Sequence, residues 1–287
     1  VVTVGIQHRE YSVVNKNSLS LYYQSWESDA RASTKTAHIV HGLGDHTGCY
    51  EELAHFLVSR DFKVYGLDLH GFGRSEGKRG HVVCIADHIS DLKLLHTIMQ
   101  QKNDLSQNNL IYGQSFGGLL ALAYLQKYPD DYTHAVISAP ALNPAQNVNP
   151  LLLSLSRMCN SILPSLPFQN RIKTEQLTED TDAQDAYRDD PYVHQTITPR
   201  LFTEMIRLSK SIRENIRHFK KDLHILLIHG EADEVTNHRD TLSFYEQITV
   251  IGKKMEIVQG MKHDPITYRG GETVYELLSD WFGSVGM

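Results

Sequence analysis

The segment from Asn109 to Tyr128 constrains this chain more than any other. A short apolar run, Asn109-Leu110-Ile111-Tyr112, ends at Gly113-Gln114-Ser115-Phe116-Gly117-Gly118, and an apolar helical stretch follows directly to Tyr128. A Gly-x-Ser-x-Gly match is weak when isolated. Between a buried-strand pattern and a helix it specifies a sharp strand-to-helix turn with serine at its apex. Bulky side chains at Gly113 and Gly117 would collide with neighbouring backbone. The N-terminal N–H groups and dipole of the following helix favour negative charge beside the serine. The plain alternative is an ordinary serine in a glycine-rich turn, which requires no partners elsewhere in the chain.

The rest of the chain repeats the same alternation. Tyr11–Val14 and Leu19–Tyr23 flank the turn-like Asn15-Lys16-Asn17-Ser18 and read as a hairpin. Short apolar runs follow at Ala37–Val40, Phe62–Leu67, His134–Ile137, Leu223–Ile228 and Met255–Val258. Runs of this length, bounded by glycine or polar residues, suit strands buried on both faces of a parallel sheet. Helical spacing lies between them over Tyr50–Ser59, Cys84–Met99 and Gly117–Tyr128. The pattern predicts an α/β fold with a mostly parallel central sheet and helices on both faces.

One interval breaks the alternation. From about Ala141 to Lys221 no strand is evident, Asn149–Phe168 is rich in Leu, Ser and Pro, and Thr198–Phe219 looks helical. The expectation is a core formed by residues 1–140 and 222–287, with 141–221 as a helical lid inserted into it.

Composition excludes several function classes. A net charge of −6 carries no basic footprint for nucleic acid. Cys49, Cys84 and Cys159 are odd in number, widely spaced and without a Cys-x-x-Cys pair, which argues for free thiols in a reducing compartment. The expected location is therefore cytoplasmic. Val1–Glu10 lacks the pattern of a signal peptide, and no apolar run approaches the roughly 20 residues that span a bilayer. The first residue is Val, which leaves a removed segment open. The sixteen histidines are scattered without a His-Glu-x-x-His motif. Neither a metal nor a cofactor is expected.

A serine hydroxyl becomes a useful nucleophile when an imidazole removes its proton, and a carboxylate must hold that imidazole in the right tautomer. Both partners are expected just after late strands, in the order serine, acid, histidine. After Leu223–Ile228 comes His229-Gly230-Glu231-Ala232-Asp233-Glu234-Val235. Asp233 is the preferred acid, with Glu231 and Glu234 as alternatives. After Met255–Val258 comes Gly260-Met261-Lys262-His263-Asp264, which makes His263 the base; Asp264 reads as a capping or surface residue. His238, the other late histidine, sits in a polar stretch that starts a helix. A tetrahedral intermediate also needs two N–H donors. The backbone of Phe116 offers one, and Leu43, in the loop His41-Gly42-Leu43-Gly44-Asp45-His46, offers the other. His41 reads as a brace for that loop.

These segments resemble the monoacylglycerol lipase and lysophospholipase family of serine α/β-hydrolases. The resemblance rests on His41–Tyr50, on Asp68-Leu69-His70-Gly71-Phe72-Gly73-Arg74-Ser75-Glu76-Gly77, on Gly113–Gly118, on Ala186–Val193 and on His229–Asp233, and it spans about Tyr11 to Phe282. It implies the α/β-hydrolase fold, a Ser115–Asp233–His263 triad and oxyanion N–H groups from Leu43 and Phe116. The implied reaction is cleavage of a lipid ester to a fatty acid and an alcohol through an acyl-enzyme. Asp45, Cys49, Leu142, Leu152 and Tyr187 are the candidate substrate contacts. The family usually has Glu where Asp45 stands and Arg where Cys49 stands, and these two positions order the polar end of its substrate. The shorter acid and the missing cation imply altered head-group selectivity.

Two readings of Pro150–Pro164 stay open: a lid helix packed on the core, or a helix whose apolar face meets a lipid surface and admits an acyl chain. Two other functions stay open as well. A peptidase or thioesterase could use the same triad, with Glu175, Glu179, Asp180 and Asp182 holding a substrate amine. A non-catalytic binding protein could share the fold.

Overall fold

The computed structural model describes residues 5–30, 32–146, 148–264 and 272–287. The first four residues, on which the reading of the N-terminus partly rests, lie outside that description. The amphipathic hairpin at the start forms β1 (Ile6–Val14) and β2 (Ser20–Ser28), longer at both ends than its apolar cores. The alternation then runs β3 (Lys35–Val40), α1 (Glu51–Ser59), β4 (Phe62–Leu67), α2 (Ile85–Gln101), β5 (Asn109–Gln114), α3 (Phe116–Lys127) and β6 (His134–Ser138). After the interval come β9 (His224–Gly230), α8 (His238–Gln247), β10 (Gly252–Val258) and α9 (Glu272–Val285).

The strands form one eight-stranded sheet in the order β1-β2-β4-β3-β5-β6-β9-β10. The β2 strand runs antiparallel to both β1 and β4, and the remaining pairs are parallel. Every residue of β5 and β6 is buried, which is why their sequences read as continuous apolar runs without alternation. Leu53 and Leu57 of α1 join Val274, Leu278 and Trp281 of α9 in the core on one face. Ile89 and Leu92 of α2, Leu119 of α3 and Phe244 of α8 fill the other face. The α3 helix is buried from Phe116 through Leu125, so it is apolar around its whole circumference rather than amphipathic.

Strand order reverses at β3, which pairs with β4 on one side and β5 on the other. A sheet of this type opens a crevice at such a switch point, beyond the carboxyl ends of its strands. The loops after β3, β5, β9 and β10 therefore converge there.

The described residues between β6 and β9 contribute nothing to the main sheet. It holds α4 (Pro150–Ile162), a two-stranded pair of β7 (Phe168–Gln169) and β8 (Thr196–Ile197), α5 (Thr174–Leu177), α6 (Thr181–Asp189) and α7 (Pro199–Glu214). The small strand pair corrects the expectation of a strand-free interval. Two residues per strand are too few to leave a periodic signal. The helix starts follow local rules. Asn149 precedes Pro150 and accepts the N–H of Leu151, and Thr198 precedes Pro199 and accepts that of Leu201. Leu201, Met205 and Ile212 anchor α7 in the core. None of the 13 residues of α4, all of them described, is buried. Among the described residues, no helix is long and apolar enough to cross a membrane.

Candidate active site

Ser115 stands between β5 and α3 with φ 54° and ψ −115°. That left-handed conformation strains a residue with a side chain and persists because the surroundings hold it. The Ser115 N–H donates to the Ser138 carbonyl at 2.9 Å, and its own carbonyl accepts from Leu119 and Ala141 at 3.0 Å each. The glycines of the motif have a steric cause. A Cβ on Gly117 would lie 2.2 Å from the Val40 carbonyl oxygen, and one on Gly113 would lie 2.6 Å from that of Gly117. Helix α3 can start against β3 only with no side chain at these two positions.

His263 reaches the turn from the far side of the sheet. Its Nε2 lies 2.9 Å from Ser115 Oγ, and its Nδ1 lies 2.7 Å from Asp233 Oδ2. Asp233 is thus the carboxylate that meets the imidazole. Glu231 instead accepts the Gly260 N–H, and Glu234 lies beside the Gln176 amide. The Asp233 side chain is fully buried and saturated with donors. Its Oδ1 accepts the N–H groups of Val235 and Thr236, and its Oδ2 accepts the Thr236 hydroxyl at 2.7 Å and lies 3.0 Å from His229 Nε2, which is also 3.2 Å from the Thr236 hydroxyl oxygen. Burial alone would raise its pKa. The charge of His263, the hydrogen bonds from His229 and His263 and the Thr236 N–H outweigh burial, and the carboxyl is held well below the usual range. His263 shows the mirror case. Burial opposes its charge, but Asp233, then Asp264 and Asp45, overcome that and raise the imidazole above its ordinary value.

The loop after β3 is fixed by groups far along the chain. His41 Nε2 accepts the Leu69 N–H at 3.0 Å, which leaves Nδ1–H to donate to the Gly42 carbonyl at 2.8 Å. With both nitrogens engaged, His41 braces the loop. The Gly42 N–H donates to the Tyr50 hydroxyl, that hydroxyl donates to Gln114 Oε1 at 2.7 Å, and Gln114 Nε2 donates to the His263 carbonyl. Tyr50 and Gln114 thereby tie the Leu43 loop, the serine turn and the histidine loop together. Neither residue was identified from the sequence. Gln114 fills a variable place in the serine motif, and no local pattern marks it. His229 follows a strand and belongs to a segment that carries the resemblance, and the sequence assigns it no role, yet it touches the acid. As the first residue of α3, Phe116 turns its N–H out of the helix start, beside Ser115.

Among the described residues two cavities reach Ser115. One, of about 630 Å³, is lined by Leu43, Ala141, Leu152, Leu155, Phe202 and Met205, with other mostly apolar groups. The other is a narrow polar cleft lined by Asp45, Gln114, Tyr187, His263 and Asp264. Asp264 is therefore part of the cleft rather than a surface cap. Asp45 Oδ1 accepts the Tyr187 hydroxyl at 2.9 Å, and its Oδ2 lies 3.2 Å from the Tyr50 oxygen, whose one hydrogen points to the nearer Gln114. Burial and the nearby Asp264 push its carboxyl up to about 6 against those two contacts.

Of the candidate substrate contacts, Leu152, Asp45 and Tyr187 line these cavities. Leu142 does not, because its side chain packs in the core beneath, 1% exposed. Cys49 packs against the core on the α1 face. Its thiol is pushed up by burial and by Asp45, so it stays neutral. Glu175, Glu179 and Asp182 face solvent, and Asp180 caps α6. None of the four lines either cavity.

Among the described residues, two groups of side chains have the spacing to hold a metal: His46, Cys49 and Asp190, and His70, His88 and Asp91. Neither contains Ser115, Asp233 or His263. In the first, His46 already accepts the Gly48 N–H on Nδ1 and donates to Asp190 from Nε2.

A family model described as serine aminopeptidase, S33, matches residues 31–267. The chain is 24% identical over 282 residues to a monoacylglycerol lipase of Mycolicibacterium smegmatis, covering 98% of this chain and 99% of that protein. It is 27% identical over 269 residues to an uncharacterized abhydrolase domain-containing protein of Dictyostelium discoideum, covering 93% of this chain but 28% of that protein's length. Its fold is similar to that of a soluble variant of monoglyceride lipase from Saccharomyces cerevisiae, solved in complex with a substrate analog. The TM-score is 0.82 at 17% identity, covering 98% of this chain and 95% of that one.

Proposed function

The chain belongs to the serine aminopeptidase, S33, family of serine hydrolases, and on that premise we propose that it cleaves lipid-like carboxylic esters at Ser115, monoacylglycerols or lysophospholipids first among them. One observation carries the choice of substrate. Ser115 lies where a large, mostly apolar chamber meets a small polar cleft. An ester with an acyl chain on one side and a polar alcohol on the other matches that junction.

Ser115 Oγ attacks the ester carbonyl while His263 Nε2 takes its proton, and Asp233 stabilises the imidazolium that results. The N–H groups of Leu43 and Phe116 receive the oxyanion. His263 then protonates the leaving alcohol, and water repeats the sequence to release the fatty acid. The acyl chain occupies the chamber under α4. The alcohol occupies the cleft, where the Asp45 and Asp264 carboxylates and the Gln114 amide offer acceptors for its hydroxyls. Cys49 lines neither cavity, so the altered head-group selectivity rests on Asp45, one methylene shorter than the glutamate usual in the loop that this one resembles.

The helix α4 supports a membrane role for the segment 141–221 acting as a lid. Leu152, Leu155 and Cys159 face the chamber. Leu151, Met158 and Ile162 stand on the neighbouring stripe, 76%, 56% and 70% exposed. An apolar stripe of this kind suits an interface with lipid.

The test is a rate series over monoacylglycerols, lysophospholipids, p-nitrophenyl esters of matched acyl length and aminoacyl naphthylamides. Turnover of long-chain esters with only modest preference for the glycerol head is expected. Faster cleavage of the naphthylamides would overturn the lipid reading in favour of a peptidase.

A further inference from the structure

We propose that His229 is a positioning residue that acts on His263 through Asp233, and that the Thr241 hydroxyl sets its tautomer. The proposal rests on Asp233 serving as the acid of the triad.

The geometry is a buried chain of four side chains. Asp233 Oδ2 lies between two imidazoles, 2.7 Å from His263 Nδ1 and 3.0 Å from His229 Nε2. The side chains of His229 and Asp233 are both fully buried. His229 Nδ1 lies 2.8 Å from Thr241 Oγ1, and Thr241 is buried in the first turns of α8. An ionised carboxylate can only accept, so Nε2 of His229 carries its hydrogen. In the neutral ring Nδ1 is then an acceptor, and Thr241 Oγ1 donates to it. The other tautomer would turn a lone pair of Nε2 toward the carboxylate, between two side chains shielded from solvent.

The consequence concerns the charge on Asp233. Every donor that the carboxylate accepts besides His263 draws charge away from its bond to His263. Val235, Thr236 and His229 are those other donors. The first two belong to the turn after β9, which forms its hydrogen bonds locally. His229 is the last-but-one residue of β9 and brings its N–H from inside the sheet. It meets the same carboxylate oxygen as His263 and limits how strongly Asp233 raises the pKa of His263. Without it, Asp233 keeps the Val235 and Thr236 donors but loses the one from inside the sheet, and more of its charge falls on His263. Catalysis then loses orientation, and His263 becomes harder to deprotonate.

The experiment compares wild type with His229→Leu, His229→Gln and Thr241→Val. The His263 pKa is read directly by NMR titration of its imidazole. The rate is read as the pH profile of kcat/KM on a p-nitrophenyl ester. In His229→Leu, the His263 pKa and the acid limb move together to higher pH, and kcat falls about tenfold with KM little changed. His229→Gln, whose Nε2 can donate from a similar place, restores the profile. Thr241→Val shows the same shift in smaller degree without altering the charge of any group. An unchanged His263 pKa in both His229→Leu and Thr241→Val overturns the proposal. So does a rate loss in His229→Gln equal to that in His229→Leu, since a purely structural role would produce it. The NMR readout needs no turnover. A chain in which Ser115→Ala retains full activity would therefore refute the ester mechanism while leaving the His229 effect separately measurable.

Discussion

Ser115 Oγ and His263 Nε2 lie 2.9 Å apart although 148 residues separate them in the chain. Two parallel strand edges create that contact. β5 delivers the serine near the centre of the sheet, and β10, at its edge, ends five residues before the histidine. The Gln114 bond to the His263 carbonyl closes the same gap from below.

Ser115 combines a reactive hydroxyl with a strained backbone. Ser115→Ala is expected to abolish turnover and fluorophosphonate labelling with little change in thermal unfolding. Ser115→Gly, equally inactive, relieves the left-handed strain and is expected to gain about 1 kcal/mol of stability. A glycine variant less stable than the alanine one would show that the φ of 54° carries no cost.

The pH profile follows from the charge on His263. The imidazole must be neutral to accept the serine proton, and its pKa is raised above the ordinary value of about 6.5. The rate is therefore expected to fall as pH drops through that raised value. Asp233→Asn removes the charge that raises it. The limb should then move to lower pH, with kcat down by roughly 10⁴-fold. A limb that stays in place in Asp233→Asn would mean that some other group sets it.

Asp45 links head-group recognition to stability. Its carboxyl is raised to about 6 in the folded chain, against about 4 unfolded. A group shifted this way stabilises the fold fully below its unfolded pKa, and that contribution is lost as pH rises through about 6. Asp45→Asn should therefore gain on wild type between pH 5 and pH 8, by about 2 kcal/mol at most, since the Tyr187 hydroxyl still needs an acceptor. Urea unfolding at both pH values measures it. A difference that does not grow with pH would contradict the raised pKa.

The exposed stripe of α4 separates interface binding from chemistry. Replacing Leu151, Met158 and Ile162 together by serine should leave hydrolysis of a short soluble ester within about twofold, because none of them lines the chamber. Binding to phospholipid vesicles and turnover of long-chain substrate in them should both fall at least tenfold. Equal losses on the soluble ester would place the stripe in the fold rather than at an interface.

Chamber width should set acyl length. Leu155 lines the cavity from α4. Leu155→Trp is expected to shift preference toward shorter acyl chains, chiefly through KM for long ones. An unchanged chain-length series would mean that the acyl chain lies elsewhere.

The order of strands and helices was legible in the sequence because each central strand is buried on both faces and each run is bounded by glycine or a polar residue. Ser115 stood out because its turn needs two glycines a fixed distance apart. His263 and a carboxylate near Asp233 were narrowed by their position after late strands. Leu142 was read as a substrate contact from its place in the chain, yet it faces the core. The direction of a side chain after a strand depends on the loop it enters, which periodicity does not describe.

By itself, then, the sequence determined the sheet, the serine turn and the short list of polar residues that could meet it, since these follow from local periodicity and turn sterics. Only the tertiary structure decided that Asp233, rather than Glu231 or Glu234, meets His263. It also decided that His229 and Thr241 stand behind that acid, and that Tyr50 and Gln114 tie three loops together. Those pairings are set by strand register and burial across the whole sheet. A hydrogen bond between residues a hundred positions apart has no local sequence signal, but once it is buried the cost of leaving either partner unpaired fixes it in place.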